Sequence, residues 1–154
     1  MSIINDLITN RILITGLFSW AVAQILKTII YLAINKTLNL ERLVGDGGMP
    51  SAHSATVTSV ALSVGLNCSF GSPEFAIAAI LAIIVMHDAM GVRLETGKQA
   101  KAINDMMSLL NQLADSNTSP EKKLKEFVGH TPMQVLAGLI LGIVTAAVSY
   151  NFFT

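Results

Sequence analysis

The stretch that decides the fold is residues 127–154, FVGHTPMQVLAGLILGIVTAAVSYNFFT, which contains no Lys, Arg, Asp or Glu. Residues 47–73 form a second stretch without any of these four residue types. A membrane-spanning helix needs about 20 mostly apolar residues, and both stretches are long enough for one. Over the whole chain 52% of the residues are apolar and 13% are charged, about half the charged fraction of an ordinary soluble domain. The sequence therefore predicts an integral membrane protein.

Apolar segments and turn residues predict four membrane-spanning helices, at about residues 12–35, 51–68, 73–92 and 132–153. Gly, Ser and Pro within residues 67–73 predict a short turn, so the second and third spans should be antiparallel neighbours. The alternation of apolar and polar residues that is typical of β-strands does not occur. We expect an all-α fold, a small polytopic membrane helix bundle that forms one domain over residues 1–154.

A charged segment at residues 93–129 separates the third and fourth predicted spans. Apolar residues recur in it at helical spacing; they are Ile103, Met106, Met107, Leu110 and Leu113. This spacing predicts an amphipathic cytoplasmic helix that either lies on the membrane surface or caps the bundle. Residues 115–120 are predicted to form a loop.

Lys and Arg are concentrated on one side of the predicted bundle. Four spans put both termini on the same side, where Arg11 is the only fixed positive charge. The other side carries Lys36, Arg42, Arg93, Lys98, Lys101, Lys122, Lys123 and Lys125. The positive-inside rule then predicts a multi-pass protein of the inner (cytoplasmic) membrane with both basic loops in the cytoplasm. The net charge is zero, so no overall basic charge indicates nucleic-acid binding.

Polar side chains inside or directly beside the predicted spans are candidate functional residues, because ionisable groups are costly at membrane depth. They are Gln24, Lys27, His53, His87, Asp88 and His130. Most of them lie near the predicted cytoplasmic ends of the spans, and Lys27 is close enough to extend toward that end. We therefore expect a functional site on the cytoplasmic side.

The predicted start of the second span, GGMPSAHS at residues 47–54, has the features of an anion site. Gly47 and Gly48 allow the backbone to approach a ligand, and the free N–H groups of a helix start favour an anion. Ser51 adds a hydroxyl donor, and His53 adds a proton donor. The alternative is an ordinary capped helix start with a histidine at the membrane interface.

The predicted start of the fourth span, GHTPMQ at residues 129–134, also carries a histidine. Thr131 and Gln134 fit a capping box, which gives both of them a structural role. The capping box gives His130 no structural role. The alternative to a functional role is that His130 is a solvated histidine at the membrane interface.

The end of the third span contains Asp88 and Arg93. Arg93 could hold a phosphate through paired donors, and Asp88 could orient a histidine or balance Lys27. A salt-bridged helix end is the alternative. Together the three segments contain cations, hydrogen-bond donors and two histidines. Phosphoryl transfer needs such groups, because cations and donors stabilise charge and histidines can act as the nucleophile and as the acid for the leaving group.

The segment PSAH at residues 50–53 resembles the P-S-G-H motif of the type-2 phosphatidic acid phosphatase superfamily, which includes vanadium-dependent haloperoxidases and bacterial acid phosphatases. The pattern as a whole is similar to the small divergent membrane branch of that superfamily. The matching positions are Gln24, Lys27, residues 47–54, residues 88–93, Gly97, Gln99, Ala100 and residues 129–132. The resemblance covers about residues 20–145.

This resemblance implies a membrane lipid phosphate phosphatase that hydrolyses a phosphomonoester, such as phosphatidylglycerophosphate or phosphatidic acid, at the cytoplasmic face. It implies that His130 is the nucleophile that becomes phosphorylated and that His53 protonates the leaving alcohol. The implied phosphate-binding residues are Lys27, Arg93, Ser51, Gly47 and Gly48, and the supporting residues are Gln24, Gln134, Gln99 and Glu95. No metal or other cofactor is implied, because cationic side chains take its place.

Three positions depart from the pattern of the superfamily. Arg42 is not followed by the Pro of the first motif. Arg93 lies far upstream of His130 instead of six residues before it, so the charged segment must fold back. Gln134 stands four residues after His130, where related enzymes place an acid that orients the histidine. Asp88 is the candidate substitute for that acid.

Other functions remain open from the sequence. One is a non-catalytic membrane protein that retains the phosphatase fold, and another is an undecaprenyl pyrophosphate phosphatase. A third is a transporter or metal-binding protein that uses His53, His87, His130 and Asp88. Finally, Gly138 and Gly142 form a small-residue face that permits close helix packing, either within the chain or in a homodimer.

Overall fold

The computed structural model describes residues 3–37, 47–113, 124 and 129–153. All regular elements in these residues are helices, as predicted. They are α1 (Ile3–Thr9), α2 (Arg11–Asn35), α3 (Ala52–Cys68), α4 (Pro73–Met90), α5 (Val92–Leu113) and α6 (Pro132–Phe153). Helices α2, α3, α4 and α6 coincide with the four predicted spans, and α5 confirms the predicted helix in the charged segment. Arg42, Lys122, Lys123, Lys125 and the predicted loop at 115–120 lie outside the described residues.

Side-chain caps explain where the long helices begin. Asn10, Ser51 and Ser72 each accept a hydrogen bond from a backbone N–H three residues later, which satisfies one of the free donors of the first turn. Pro73 occupies the first turn of α4, where its missing N–H does no harm.

Helix α3 lies at the centre of the bundle and contacts α2, α4 and α6. Gly138 of α6 packs on Ser51 and Ser54, and Gly142 packs one turn further on, at Ala55 and Thr58, so α3 and α6 run parallel. In α2, Gly16 packs on Val60 and the Ser19 hydroxyl donates to the Ala55 carbonyl oxygen (3.0 Å), so α2 runs antiparallel to both. One end of the bundle, here called the histidine end, therefore gathers the starts of α3 and α6 and the ends of α2 and α4.

The interior of the bundle contains small and hydroxyl-bearing side chains, whereas the large apolar side chains face outward. The buried apolar residues are almost all alanines, and Ser19, Ser59 and Thr145 are buried among them. The Thr145 hydroxyl donates to Ser19 Oγ (2.9 Å), and this links α6 to α2 at mid-height. Such packing is typical of membrane helices, because lipid contacts the apolar exterior and small residues let the backbones approach.

Three helices of the described chain are long and apolar enough to cross a membrane: α2, α6, and α4 with its continuation into α5. Helix α3 has 17 residues, at the lower limit of about 17 for a span. It is less apolar because its neighbours in the bundle, rather than lipid, surround much of it. The fold is thus the predicted polytopic helix bundle.

Helix α5 follows α4 directly after Gly91, and among the described helices it packs against α4 alone. It therefore does not cap the bundle, which was one of the two predicted placements. Ile103, Met106 and Leu110 on its apolar face are exposed, as expected for a helix on a membrane surface.

Gly138 and Gly142 are both buried in the contact between α6 and α3. A Cβ atom at Gly142 would come within 2.6 Å of the Ala55 carbonyl oxygen, so this face is used inside the chain. The glycine pair therefore gives no support to a homodimer, which stays a prediction.

Candidate functional site

The two histidines at the predicted helix starts meet at the histidine end. The centroids of the His53 and His130 rings lie 5.8 Å apart, with the ring planes inclined by 60°. His53 is in the first turn of α3, and His130 lies two residues before α6. Because α3 and α6 run parallel and start side by side, their two N-termini bring the rings together. His130 is 2% exposed.

Gln134 fixes which nitrogen of His130 carries the proton. Gln134 Oε1 accepts a hydrogen bond from the Thr131 N–H (3.1 Å), so this atom is the carbonyl oxygen of the amide. The same oxygen lies 3.3 Å from His130 Nδ1. Since a carbonyl oxygen only accepts, Nδ1 must carry the hydrogen and the lone pair of the neutral ring is on Nε2. Gln134 thus orients His130 as an acid would, with less stabilisation of a positive ring.

Ser51 connects the two helix starts. Its N–H donates to the backbone carbonyl oxygen of Gln134 (3.0 Å). Its hydroxyl oxygen accepts hydrogen bonds from the Ser54 N–H (3.3 Å) and the Ser54 hydroxyl (3.1 Å). Ser51 is fully buried. These bonds use its lone pairs and leave its hydroxyl proton for a further acceptor.

Lys27 reaches the histidine end from α2 and is 3% exposed. Gly47 and Gly48 have φ of 80° and 88°, a backbone conformation that favours glycine. A Cβ atom at Gly48 would come within 3.2 Å of Lys27 Cγ, so the glycines allow the chain to pass over the lysine stem. Gln24 lies one helical turn deeper and is 7% exposed; in the described residues its Oε1 accepts no hydrogen bond.

The predicted fold-back of the charged segment is present in the backbone. The His130 N–H donates to the Ala89 carbonyl oxygen (2.9 Å), which ties the end of α4 to the start of α6. Gly129 (φ 90°) lies directly on the backbone of Arg93 and Leu94. Arg93, far upstream in sequence, is thereby brought beside the segment that carries His130.

The Arg93 guanidinium, however, is engaged with Asp88. Arg93 Nε donates to Asp88 Oδ2 at 2.8 Å, and the two side chains are 44% and 41% exposed. This pair is the salt-bridged helix end that the sequence offered as an alternative. Gln134, rather than Asp88, makes the contact with His130 Nδ1.

Three predicted residues lie on the surface of α5 or α4 instead of in the site. Glu95 pairs with Lys98 (2.6 Å) on the exposed face of α5, and Gln99 is exposed. His87 is exposed near the end of α4. Within the described residues, no group of three or more His, Cys, Asp or Glu side chains could hold a metal ion.

One structural residue of α5 was not expected from the sequence. Asn104 of α5 donates from Nδ2 to the Leu124 carbonyl oxygen (2.9 Å) and accepts the Leu124 N–H at Oδ1 (3.0 Å). This pair of hydrogen bonds attaches Leu124 to α5. Its only signal in the sequence is a polar residue on an amphipathic helix, which looks like any surface position.

Comparison with known proteins identifies the family of the chain. The sequence profile described as the "Divergent PAP2 family" matches residues 8–145, which include both histidines, Lys27 and Arg93. The chain belongs to this family. It is 37% identical over 156 aligned residues to the uncharacterized membrane protein YuiD of Bacillus subtilis (strain 168), across 96% of this chain and 99% of that protein. No solved structure matches it significantly. As a divergent PAP2 member with several membrane-spanning helices, the protein is a multi-pass membrane protein related to the phosphatases.

Gly129 should be intolerant of any side chain. Gly129→Ala would put a Cβ atom 2.6 Å from the Arg93 carbonyl carbon at a φ that L-residues rarely adopt, and we expect a loss of about 1–3 kcal/mol in unfolding free energy. Thermal unfolding of the purified variant and the unmodified protein in detergent measures this loss of stability. Gly71→Ala is the control, because the nearest atom to a Cβ there is 3.8 Å away. Equal melting temperatures for both variants would contradict this placement of Gly129.

Proposed function

We propose that the protein is a membrane lipid phosphate phosphatase that hydrolyses a phosphomonoester through a phosphohistidine intermediate. The observation that carries the proposal is the pair of imidazole rings, His53 and His130, with centroids 5.8 Å apart beside the buried Lys27. A near-attack nucleophile lies about 3–3.5 Å from phosphorus, and an acid must lie within about 2.6–3.2 Å of the leaving oxygen. At this distance the two rings lie in edge contact, so the proposed phosphoryl group lies beside the pair, within reach of both rings, and not between them.

In the first step, His130 Nε2 attacks phosphorus and the bond from phosphorus to the lipid oxygen breaks. His53 gives its proton to that oxygen, and the diacylglycerol-type alcohol leaves. The Gln134 oxygen holds the Nδ1 proton of His130 throughout, which keeps the lone pair on Nε2. Phosphoryl transfer depends mainly on positioning and charge stabilisation, and Lys27, the Ser51 hydroxyl and the α3 N-terminus supply positive potential for the phosphoryl oxygens.

In the second step, His53 takes a proton from water, and the resulting hydroxide displaces His130 from phosphorus. Inorganic phosphate then leaves, and both histidines return to their first state. Arg93 is proposed as a second phosphate ligand: its bond to Asp88 uses Nε, so its terminal nitrogens can still bind oxygens.

The proposed substrate is a lipid phosphomonoester of the cytoplasmic leaflet, of the phosphatidylglycerophosphate or phosphatidic acid type. The concentration of Lys and Arg in the loops of the histidine end supports this orientation through the positive-inside rule. Undecaprenyl pyrophosphate released at the outer face fits the orientation less well. The neutral Gln134 and the Arg93–Asp88 pair favour a second candidate, a non-catalytic lipid-binding protein with the same fold.

A substrate panel tests the proposal. Purified protein in mixed micelles is given phosphatidylglycerophosphate, phosphatidic acid or undecaprenyl pyrophosphate, and released phosphate is measured. We expect release from a phosphomonoester, with a phosphoenzyme that is labile to acid and stable to alkali, as phosphohistidine is. Binding of vanadate or lipid without any phosphate release would support the non-catalytic candidate and overturn the phosphatase proposal.

A further inference from the structure

At the end of the bundle opposite the histidines, a narrow cleft lined by polar residues lies between the start of α2 and the ends of α3 and α6. It is lined by Arg11, Thr15, Ser63, Asn67 and Tyr150. Thr15 and Ser63 are 2% and 4% exposed, and the Thr15 hydroxyl donates to the Arg11 carbonyl oxygen (2.8 Å). Ser63 Oγ lies 3.4 Å from Asn67 Nδ2, an N–H donor, so the serine proton is available to another acceptor.

Arg11 stands at the edge of this cleft. In the described part of the chain its guanidinium makes no ion pair or hydrogen bond. Among the described side chains, the carboxylates that lie toward this end are Asp6 of α1 and Glu74 of α4, and both are exposed and do not pair with Arg11. The cleft thus combines a cation that no carboxylate of the described residues pairs with and a hydroxyl donor, and this combination suits an anion.

An apolar groove lies beside the cleft on the membrane-facing side of α2 and α6. It is lined by Ile14, Phe18, Val148, Ser149 and Phe152 and has a volume of about 240 Å³. Ile14 and Ser149 are the chain neighbours of the cleft residues Thr15 and Tyr150, so cleft and groove adjoin along both helices. A ligand that fits both needs an anionic head and an apolar tail.

We propose that the cleft and the groove together bind one anionic phospholipid from the leaflet on that side, separate from the site at the histidine end. The cleft has a volume of about 10 Å³, room for about one water, so the lipid phosphate lies at its mouth against the exposed Arg11. One acyl chain occupies the groove between Phe18 and Val148. A phosphodiester lipid with a net negative charge, such as phosphatidylglycerol, has this chemistry. Binding at this site does not depend on enzymatic activity at the histidine end.

Lipid titration of the full-length protein in neutral detergent tests the proposal, with bound lipid counted by native mass spectrometry. We expect phosphatidylglycerol to bind about tenfold more tightly than phosphatidylcholine of the same chain length. Both lipids carry a phosphodiester, but the choline cation of phosphatidylcholine cancels its charge and repels Arg11, whereas phosphatidylglycerol keeps a net negative charge. Arg11→Gln should remove this preference by weakening phosphatidylglycerol about tenfold. Val148→Trp, which fills the groove, should weaken both lipids.

Matched substitutions control for charge and bulk. Lys101→Gln removes an exposed cation of α5, and Ile77→Trp enlarges an exposed side chain of α4; neither should change lipid binding. An unchanged preference in Arg11→Gln, or an equal loss in Lys101→Gln, would overturn the proposal. Inorganic phosphate alone should raise the melting temperature of the unmodified protein no more than that of Arg11→Gln. A larger rise in the unmodified protein would mean that the site binds small anions instead of lipid.

Discussion

Replacing His130 with alanine is expected to lower the rate of phosphate release by about 10⁴-fold or more, because removal of a nucleophile eliminates the covalent route. No phosphoenzyme should form with labelled substrate, whichever leaving group is used. The measurement is single-turnover phosphate release together with isolation of the labelled protein after an alkaline quench.

His87→Ala is the matched control for this variant. His87 is the remaining histidine of the chain; it is exposed near the end of α4 and has no part in the proposed mechanism. It should keep the rate and the labelling of the unmodified protein. Phosphate release that survives in His130→Ala while the protein still melts cooperatively would exclude the phosphohistidine mechanism, even if the protein remained a phosphatase.

The helices could be predicted from the sequence because their signals are local. Apolar runs with few charged residues set the lengths of α2, α4 and α6, and the capping residues Ser51 and Ser72 lie at the predicted starts. Each of these features acts within a few residues, so no tertiary contact was needed to place them. The resemblance to a known motif then indicated which of the starts carry chemistry.

The contacts that assemble the site could not be predicted from the same signals. The His130 N–H bonds to Ala89, and Gly129 lies on Leu94, across long separations in sequence and through backbone atoms that every residue has. A glycine before a histidine suggests a turn but not its partner. Gln134 is the exception, because the superfamily pattern already placed it four residues after His130, where it lies 3.3 Å from Nδ1. Asp88, the candidate substitute, pairs with Arg93 instead.

The slowing of the reaction on removal of the His53 imidazole is expected to depend on the leaving group. This dependence distinguishes a histidine that acts as an acid from one that is merely structural. In His53→Ala, the first turnover of a lipid phosphomonoester should slow by about 10²–10⁴-fold, because an alkoxide cannot leave without a proton.

An aryl phosphate such as p-nitrophenyl phosphate releases a stable phenolate and needs no acid. With it, His53→Ala should still give a burst of nitrophenol close to one equivalent per protein, followed by slow turnover. The burst is kept because attack by His130 is intact, and turnover is slow because water then lacks the base that activates it. Stopped-flow absorbance measures both phases. An equal slowing of the first turnover for lipid and aryl substrates would mean that His53 positions His130, 5.8 Å away between ring centroids, and does not donate the proton.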